Sequence, residues 1–363
     1  MKILIINTVP FRINGMSRII LDYYAELKNK VKFDFVANDF IIDELREKIS
    51  KESRIFVLPN RKKKLFSYII ELKKIVSSKN TYDIVHIHGN SSLMAIEQFV
   101  LSKIVKKTSI KIIVHCHGSR SDYGIFEKIT RHYFYRHYDK ALTVELNESH
   151  LFKNRTHEVL PNGIIIEQFE FNENNRIQLR NQLNLKDETV LLHVGRMTDS
   201  KNHSFILKVF QKYLLVDEQA KLILIGDGPL KREIVKEIKE LKVEQSVFLL
   251  GNKSNTHEWY SAADLFVLPS AFESFGLVAI EAQANSLPCV FSEKIPTAAQ
   301  ISEHVKYLPT TSEFLDEWVK AILELKNERR TALLLNERIK LGEFNIKNTS
   351  NKLMKIYEET AFL

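Results

Sequence analysis

Short runs of Val, Ile, Leu and Phe recur along the chain, and between them lie longer stretches whose apolar residues repeat at helical spacing. The runs at 2–7, 32–37, 54–58, 84–88, 111–115, 140–144 and 158–160 read as strands. So do those at 189–194, 220–225, 247–250, 265–268 and 289–292. Stretches such as 16–27, 66–77 and 230–241 carry one apolar helical face. This end-to-end alternation predicts βαβ units with right-handed crossovers, and therefore mainly parallel sheets covered on both faces. It pauses between about 163 and 184, where the polar FEFNENNRIQ precedes a fresh strand, and a linker is expected there. At 363 residues the chain exceeds one ordinary core. The expected architecture is α/β, with two doubly wound, Rossmann-like domains over residues 1–165 and 166–345. Two such domains facing each other would form a cleft at the carboxyl ends of their strands, where ligands bind in these folds. No GxGxxG fingerprint follows either opening strand, which disfavours a dinucleotide oxidoreductase.

Composition narrows the class. No run of 18 apolar residues suggests a membrane span, and Met1-Lys2 leads straight into ILII without the layout of a signal peptide. Two cysteines, Cys116 and Cys289, suggest neither a disulfide framework nor a metal cluster. A soluble cytoplasmic protein with reduced thiols is expected. The formal charge of +8 is uneven. Residues 1–165 hold about 28 Lys/Arg against about 17 Asp/Glu, so the first half has the balance of a protein that meets a polyanion, membrane lipid or nucleic acid. Lysine-rich solubility explains the same numbers. Within that half, RKKKLFSYIIELKKIV sets Arg61, Lys62, Lys63 and Lys64 beside a helical stripe of Leu65, Phe66, Ile69, Ile70, Leu72 and Ile75. The stripe reads as a core-facing surface, and the cationic flank suits anionic lipid. RHYFYRHY, residues 131–138, fits either an acceptor groove or ordinary packing.

Candidate chemistry concentrates where strands end. PSAFESFGLVAIEAQANSLPCVF (269–291) passes from a strand through a short loop into a helix starting near Phe275. Unpaired N–H groups of Ser274, Phe275 and Gly276 at that helix mouth would favour an anion. Glu273 precedes the helix and Glu281 lies inside it. Upstream, Gly195-Arg196 ends the strand VLLHV, and Lys201 follows in GRMTDSKNHSFILKVF. Such paired cations suit a pyrophosphate whose charge grows as it departs. Gly226-Asp227-Gly228-Pro229 makes a tight strand-to-helix turn, and Asn14-Gly15-Met16-Ser17 separates the first strand from its helix. His117-Gly118 ends IIVHC, where His117 reads equally as a sugar contact or a structural histidine. Pro161-Asn162-Gly163 reads as a turn.

Together GRMTDSKNH, LILIGDGPL, ADLFVLPSAFESFGLVAIEAQANSLPCV, HCHG and LPNGI resemble the retaining family-four group of GT-B glycosyltransferases. AQANSLPCV and SKNHSFILKVF look most like its exopolysaccharide and capsule branch, the EpsF-like enzymes. The likeness runs through nearly the whole chain and is strongest over 190–292.

The resemblance implies a GT-B fold whose C-terminal helix, in 346–363, crosses back to the first domain. It implies that Arg196 and Lys201 hold a donor diphosphate, Glu281 the ribose hydroxyls, and Glu273 the donor sugar beside the N–H groups of Phe275 and Gly276. Gly195, Gly226, Ser274 and Leu277 would complete the nucleotide-sugar site. Gly15 would approach the phosphate and His117 the sugar. Asn14-Gly15 stands where many relatives carry two glycines, and Ser274 where many carry one. The implied reaction moves a sugar, with retention, from a UDP-sugar or other nucleotide sugar to a polyprenyl-diphosphate-linked glycan. The enzyme would sit peripherally at the inner face of the cell membrane, with no nucleic-acid partner. No Asp-x-Asp triplet occurs, so no metal or other cofactor is expected. Two rivals are a sugar-nucleotide epimerase of the same architecture and a non-catalytic partner of another transferase.

Overall fold

A computed structural model describes the chain except residues 78–81, 106–108, 119–123, 145–150, 153, 274, 327, 329, 331, 332 and 363, and the side chains of 104, 105 and 124–127. It divides into two compact units, Met1–Gly163 with Ile346–Leu363, and Ile164–Asn345.

The first unit is built on strands β1 (Lys2–Asn7), β2 (Lys32–Asn38), β3 (Ile55–Leu58), β4 (Ile84–Gly89), β5 (Lys111–Cys116), β6 (Lys140–Thr143) and β7 (Glu158–Val159). All pair in parallel, in the order β3-β2-β1-β4-β5-β6-β7. The near-continuous apolar runs follow from burial on both faces, as in β1 and β4, where almost every side chain is buried. One face packs Tyr68, Leu72, Val100, Leu101 and Phe134 against the sheet. The helix Ile346–Ala361 belongs to this unit; it packs on the helix Gly15–Leu27 through buried Leu353, Ile356 and Tyr357.

In the second unit, β8 (Val190–Val194), β9 (Lys221–Ile225), β10 (Val247–Gly251), β11 (Leu265–Leu268), β12 (Cys289–Ser292) and β13 (Val305–Leu308) pair in parallel, in the order β10-β9-β8-β11-β12-β13. Each sheet reverses its order once, between β1 and β4 and between β8 and β11. The expected α/β class with two doubly wound sheets is what the chain forms. Both cysteines, Cys116 and Cys289, are buried.

Two segments depart from the sequence reading. The polar stretch expected as linker contains a helix, Glu173–Gln182. Arginines rather than an apolar stripe attach it: Arg176 Nη1 donates to the carbonyls of Ser261, Ala262 and Ala263 at 3.0–3.3 Å, and its Nη2 lies 2.6 Å from Asp264. Arg180 adds bonds to Ala262, Lys186 and Glu188. Guanidinium forks thus satisfy the last carbonyls of the helix Thr256–Ala262. A helix held that way shows no hydrophobic period. The second departure is β13, a short half-buried edge strand with no run of its own to announce it.

Candidate active site

In an open parallel sheet, the loops leaving two strands on either side of the order reversal diverge and open a crevice. In the second unit those are the loops after β8 (residues 195–202) and after β11 (residues 269–276). They are stitched together: Ala271 N–H donates to Ser200 O at 2.8 Å, and Lys201 Nζ forms an ion pair with Glu273 Oε1. Ser270 Oγ donates to the same carboxylate oxygen at 3.0 Å. Lys201 and Glu273 keep 18 % and 12 % side-chain exposure, enough to meet a ligand and little enough to be held in place.

The turns around this pair are dictated by space. Gly195 N–H donates to Ile225 O at 2.9 Å, bringing the backbone after β8 against the end of β9. Gly226 has φ of +139°, and a Cβ there would lie 2.0 Å from Gly195 O. Only glycine fits this approach. A Cβ on Gly195 would lie 3.3 Å from the Lys201 stem and 3.0 Å from His193 Nε2. Below Lys201 sit two buried histidines that sequence reasoning missed. His193 Nδ1 donates to Val267 O at 2.9 Å, and the His203 ring meets His193 edge-on at 4.7 Å. Burial, with the Lys201 charge as a lesser cause, lowers His203 to a pKa of about 4. Burial, followed by His203, pushes His193 well below the usual range.

The helix after β11 runs Leu277–Ala284, with Gly276 at φ +81° as its cap. The expected start near Phe275 is therefore corrected by two residues. Phe275 is buried against Phe344, ring centroids 5.6 Å apart, and Gly276 turns the chain left-handed before the helix begins. The N–H groups without an intrahelical acceptor accordingly begin at Leu277, the helix's first residue. Ser274 lies outside the described residues. Glu281, one turn in, is 2 % exposed and accepts from Tyr260 Oη at 2.7 Å. Tyr260 was also missed; its helix carries no motif.

Of the remaining expected residues, Arg196 is exposed after β8, and no contact among the described residues joins it to Lys201 or Glu273. In the first unit, Asn14 Oδ1 accepts from Ser17 N–H at 2.9 Å and so caps the helix that Gly15 starts. Nothing lies within 4 Å of where a Gly15 Cβ would stand. His117 follows β5, half-buried, its Nε2 2.8 Å from His88 Nδ1, with burial depressing its pKa to about 3.

The basic run needs a correction. Lys62, Lys63 and Lys64 are exposed, but Arg61 turns inward, 10 % exposed, and Nη1 donates to buried Glu97 Oε1 at 2.7 Å. Tyr68 Oη donates to the same oxygen at 2.9 Å. The stripe is also rotated: the helix Leu65–Ser77 buries Tyr68, Leu72 and Val76, leaving Leu65, Phe66 and Ile70 exposed. On the buried face the Tyr68 hydroxyl reaches the carboxylate of Glu97, a partner that an apolar stripe does not announce. In the 131–138 run, Phe134 is core, and the Tyr133 ring stacks on His137 at 3.7 Å. Among the described residues, no helix is long and apolar enough to cross a membrane.

Comparisons with known proteins agree with this layout. Residues 175–343, nearly the whole second unit, match the family "Glycosyl transferases group 1". EpsF of Bacillus subtilis (strain 168), named as a glycosyltransferase, is 32 % identical over 176 residues, 48 % of this chain and 46 % of that protein. The Campylobacter jejuni N-acetylgalactosamine-N,N'-diacetylbacillosaminyl-diphospho-undecaprenol 4-alpha-N-acetylgalactosaminyltransferase is 35 % identical over 109 residues, 30 % of this chain and 29 % of that enzyme. The chain thus matches less than half the length of either relative. Among solved structures, Anabaena Alr3699/HepE in complex with UDP-glucose superposes with a TM-score of 0.79 at 17 % identity, covering 99 % of this chain and 100 % of that one. Residues 175–343 are thus similar to the glycosyl transferases group 1 family, and the two doubly wound, Rossmann-like units have the GT-B fold.

Proposed function

We propose that this protein is a retaining glycosyltransferase that moves a sugar from a UDP-sugar to a polyprenyl-diphosphate-linked glycan in exopolysaccharide or capsule synthesis. The observation that carries the reading is the Lys201–Glu273 pair, held across the β8/β11 reversal by the bonds of Ser270 and Ala271. A cation and an acid locked together at a crevice are preorganised for a ligand with phosphate at one end and hydroxyls at the other. When a diphosphate enters, Lys201 turns from Glu273 to phosphate oxygen, and exposed Arg196 joins it. Glu273 is then released to accept from the sugar hydroxyls. Glu281, oriented by Tyr260, takes the ribose.

In the transfer step the acceptor oxygen bonds the anomeric carbon on the face from which UDP departs. The carbon–oxygen bond to the diphosphate breaks, its electron pair stays on the leaving phosphate, and the acceptor proton passes to that oxygen. No protein base is needed, so the side chains supply position and charge stabilisation. The absence of an Asp-x-Asp triplet gives the diphosphate charge to Arg196 and Lys201 rather than to a bridging metal. The acceptor proposal draws on the diphospho-undecaprenol named for the Campylobacter enzyme. Exposed Lys62, Lys63 and Lys64 beside Phe66 and Ile70 suit a peripheral seat on anionic lipid at the cytoplasmic face.

The test is UDP release from a panel of UDP-sugars with a polyprenyl-diphosphate-linked acceptor. Lys201→Ala is expected to lose about 10²-fold or more in kcat, as when one charge stabiliser is removed. Full activity in Lys201→Ala would refute the site. Conversion of the donor sugar to an epimer without acceptor would favour the epimerase instead.

A further inference from the structure

We propose that His86, His88 and His115, in the first unit, form a binding site for a late first-row divalent metal ion of the Zn2+ type. The site is independent of the transferase reading, and its test reads metal rather than turnover.

The three histidines converge by register. His88 in β4 stands directly opposite His115 in β5, so their side chains share a face of the sheet. His86, two residues before His88, and His117, two after His115, fall on that same face. His86, His88 and His115 are 0 %, 2 % and 0 % exposed. Each can offer a ring nitrogen, and these nitrogens all lie within 4.8 Å of one another. Three imidazole nitrogens at about 2.0–2.1 Å from a tetrahedral ion would stand roughly 3.4 Å apart, a spacing inside that limit.

Hydrogen bonding shows why these are not ordinary core side chains. Among the described residues His115 has no partner at either ring nitrogen, and His86 has none at Nε2. A buried polar atom left unpaired costs about 1–3 kcal/mol. A valine or isoleucine on this face would carry no such cost, and the opposite face of the same strands does carry Ile87 and Val114. A metal ion is a partner that can satisfy one nitrogen from each of three rings at once. Neutral imidazoles suit Zn2+, Co2+, Ni2+ or Cu2+ rather than Mg2+ or Ca2+.

The surrounding bonds have the form that metal-binding histidines require. His86 Nδ1 bonds Tyr357 Oη at 2.7 Å, and His88 Nδ1 bonds His117 Nε2 at 2.8 Å. Both contacts occupy Nδ1 and leave Nε2 for an ion. Tyr357 comes from the C-terminal helix and His117 from the loop after β5. An ion here would therefore brace the returning helix against the sheet and hold the His117 ring.

The experiment uses the untagged full-length chain, freed of metal and titrated with Co2+. One equivalent per chain is expected, with visible d–d absorption of low-symmetry nitrogen coordination, displaceable by Zn2+. His115→Phe keeps a ring in the core and is expected to abolish the spectrum. Tyr357→Phe keeps all three ligands and is expected to weaken binding about 10–100-fold, as loss of an outer partner does. His304→Ala, at an exposed histidine, is expected to change nothing. Folded wild-type protein that takes up no stoichiometric Co2+ overturns the proposal. So does binding that survives in folded His115→Phe or disappears in His304→Ala.

Discussion

Removing Arg61 tests whether the basic run really divides into a core residue and three surface ones. Arg61 is 10 % exposed and Glu97 is not exposed at all; the guanidinium donates at 2.7 Å and Tyr68 Oη adds 2.9 Å to the same oxygen. Arg61→Ala leaves the carboxylate in the core beside the Tyr68 phenol. Breaking a buried pair from one side costs about 3–5 kcal/mol. A unit of this size loses about 2–4 °C per kcal/mol, so the first unit should melt about 6–20 °C lower by far-UV circular dichroism. The double variant Arg61→Met/Glu97→Gln removes both charges yet keeps an oxygen for Tyr68, and should recover most of the loss. Lys62, Lys63 and Lys64 changed together to Gln should leave the melting point nearly unmoved. That triple variant should instead lose binding to anionic vesicles by roughly 10²-fold, at about 1 kcal/mol per lysine. A cost under about 1 kcal/mol for Arg61→Ala would refute a buried pair. Vesicle binding lost equally in Arg61→Met/Glu97→Gln would return Arg61 to the surface set.

Two further expectations are independent of that pair. Gly226→Ala should destabilise the second unit by more than the roughly 1–3 kcal/mol of a forced backbone conformation, because its methyl would also meet Gly195 O; urea unfolding measures it. Gly15→Ala, with open space around it, should leave stability unchanged or about 0.4–1 kcal/mol higher, so any rise in its donor KM reports a ligand contact. The histidines below Lys201 predict an acid-side slope. The folded state keeps His203 neutral down to about pH 4, whereas the unfolded chain takes up its proton near 6.5, so stability is full above 6.5 and falls as pH drops. The fall is about 1.4 kcal/mol per pH unit, about 3 kcal/mol in all from His203. Both tryptophans, Trp259 and Trp318, are buried in the second unit, so their fluorescence follows this transition. His203→Gln should flatten the slope between pH 6.5 and 4, and an unchanged slope would remove His203 as its source.

What the chain disclosed in advance follows from what its residues had to do. Strands buried on both faces need unbroken apolar runs, and β1, β4, β8 and β11 were visible for that reason; β10, half-buried, still carries the run VFLL, whereas β13, half-buried at an edge, carries none. The helix Gly15–Leu27 showed its period because it buries an apolar face. Glu173–Gln182 did not, because its attachment is a set of arginine-to-carbonyl bonds whose partners lie about 85 residues away. The stripe in Leu65–Ser77 was legible as amphipathic but not in phase. Apolarity alone could not rank Tyr68 above Phe66, and the deciding group, Glu97, sits on another helix.

The candidate site divides along the same line. Gly195, Gly226, Lys201 and Glu273 stand at strand ends, where chemistry and turn geometry both leave local marks. Their supports leave none: Tyr260 on Glu281, Ser270 on Glu273 and His193 beside Gly195 act through distances that only the folded chain creates. A loop that presents a charge can be recognised from its own few residues, but the residues that aim the charge come from neighbouring strands and helices. The supporting side chains are for that reason the more informative targets for mutation. Replacing Lys201 tests whether a charge is needed, whereas replacing Tyr260 tests whether its direction is, and only the second separates a preorganised site from a merely basic one.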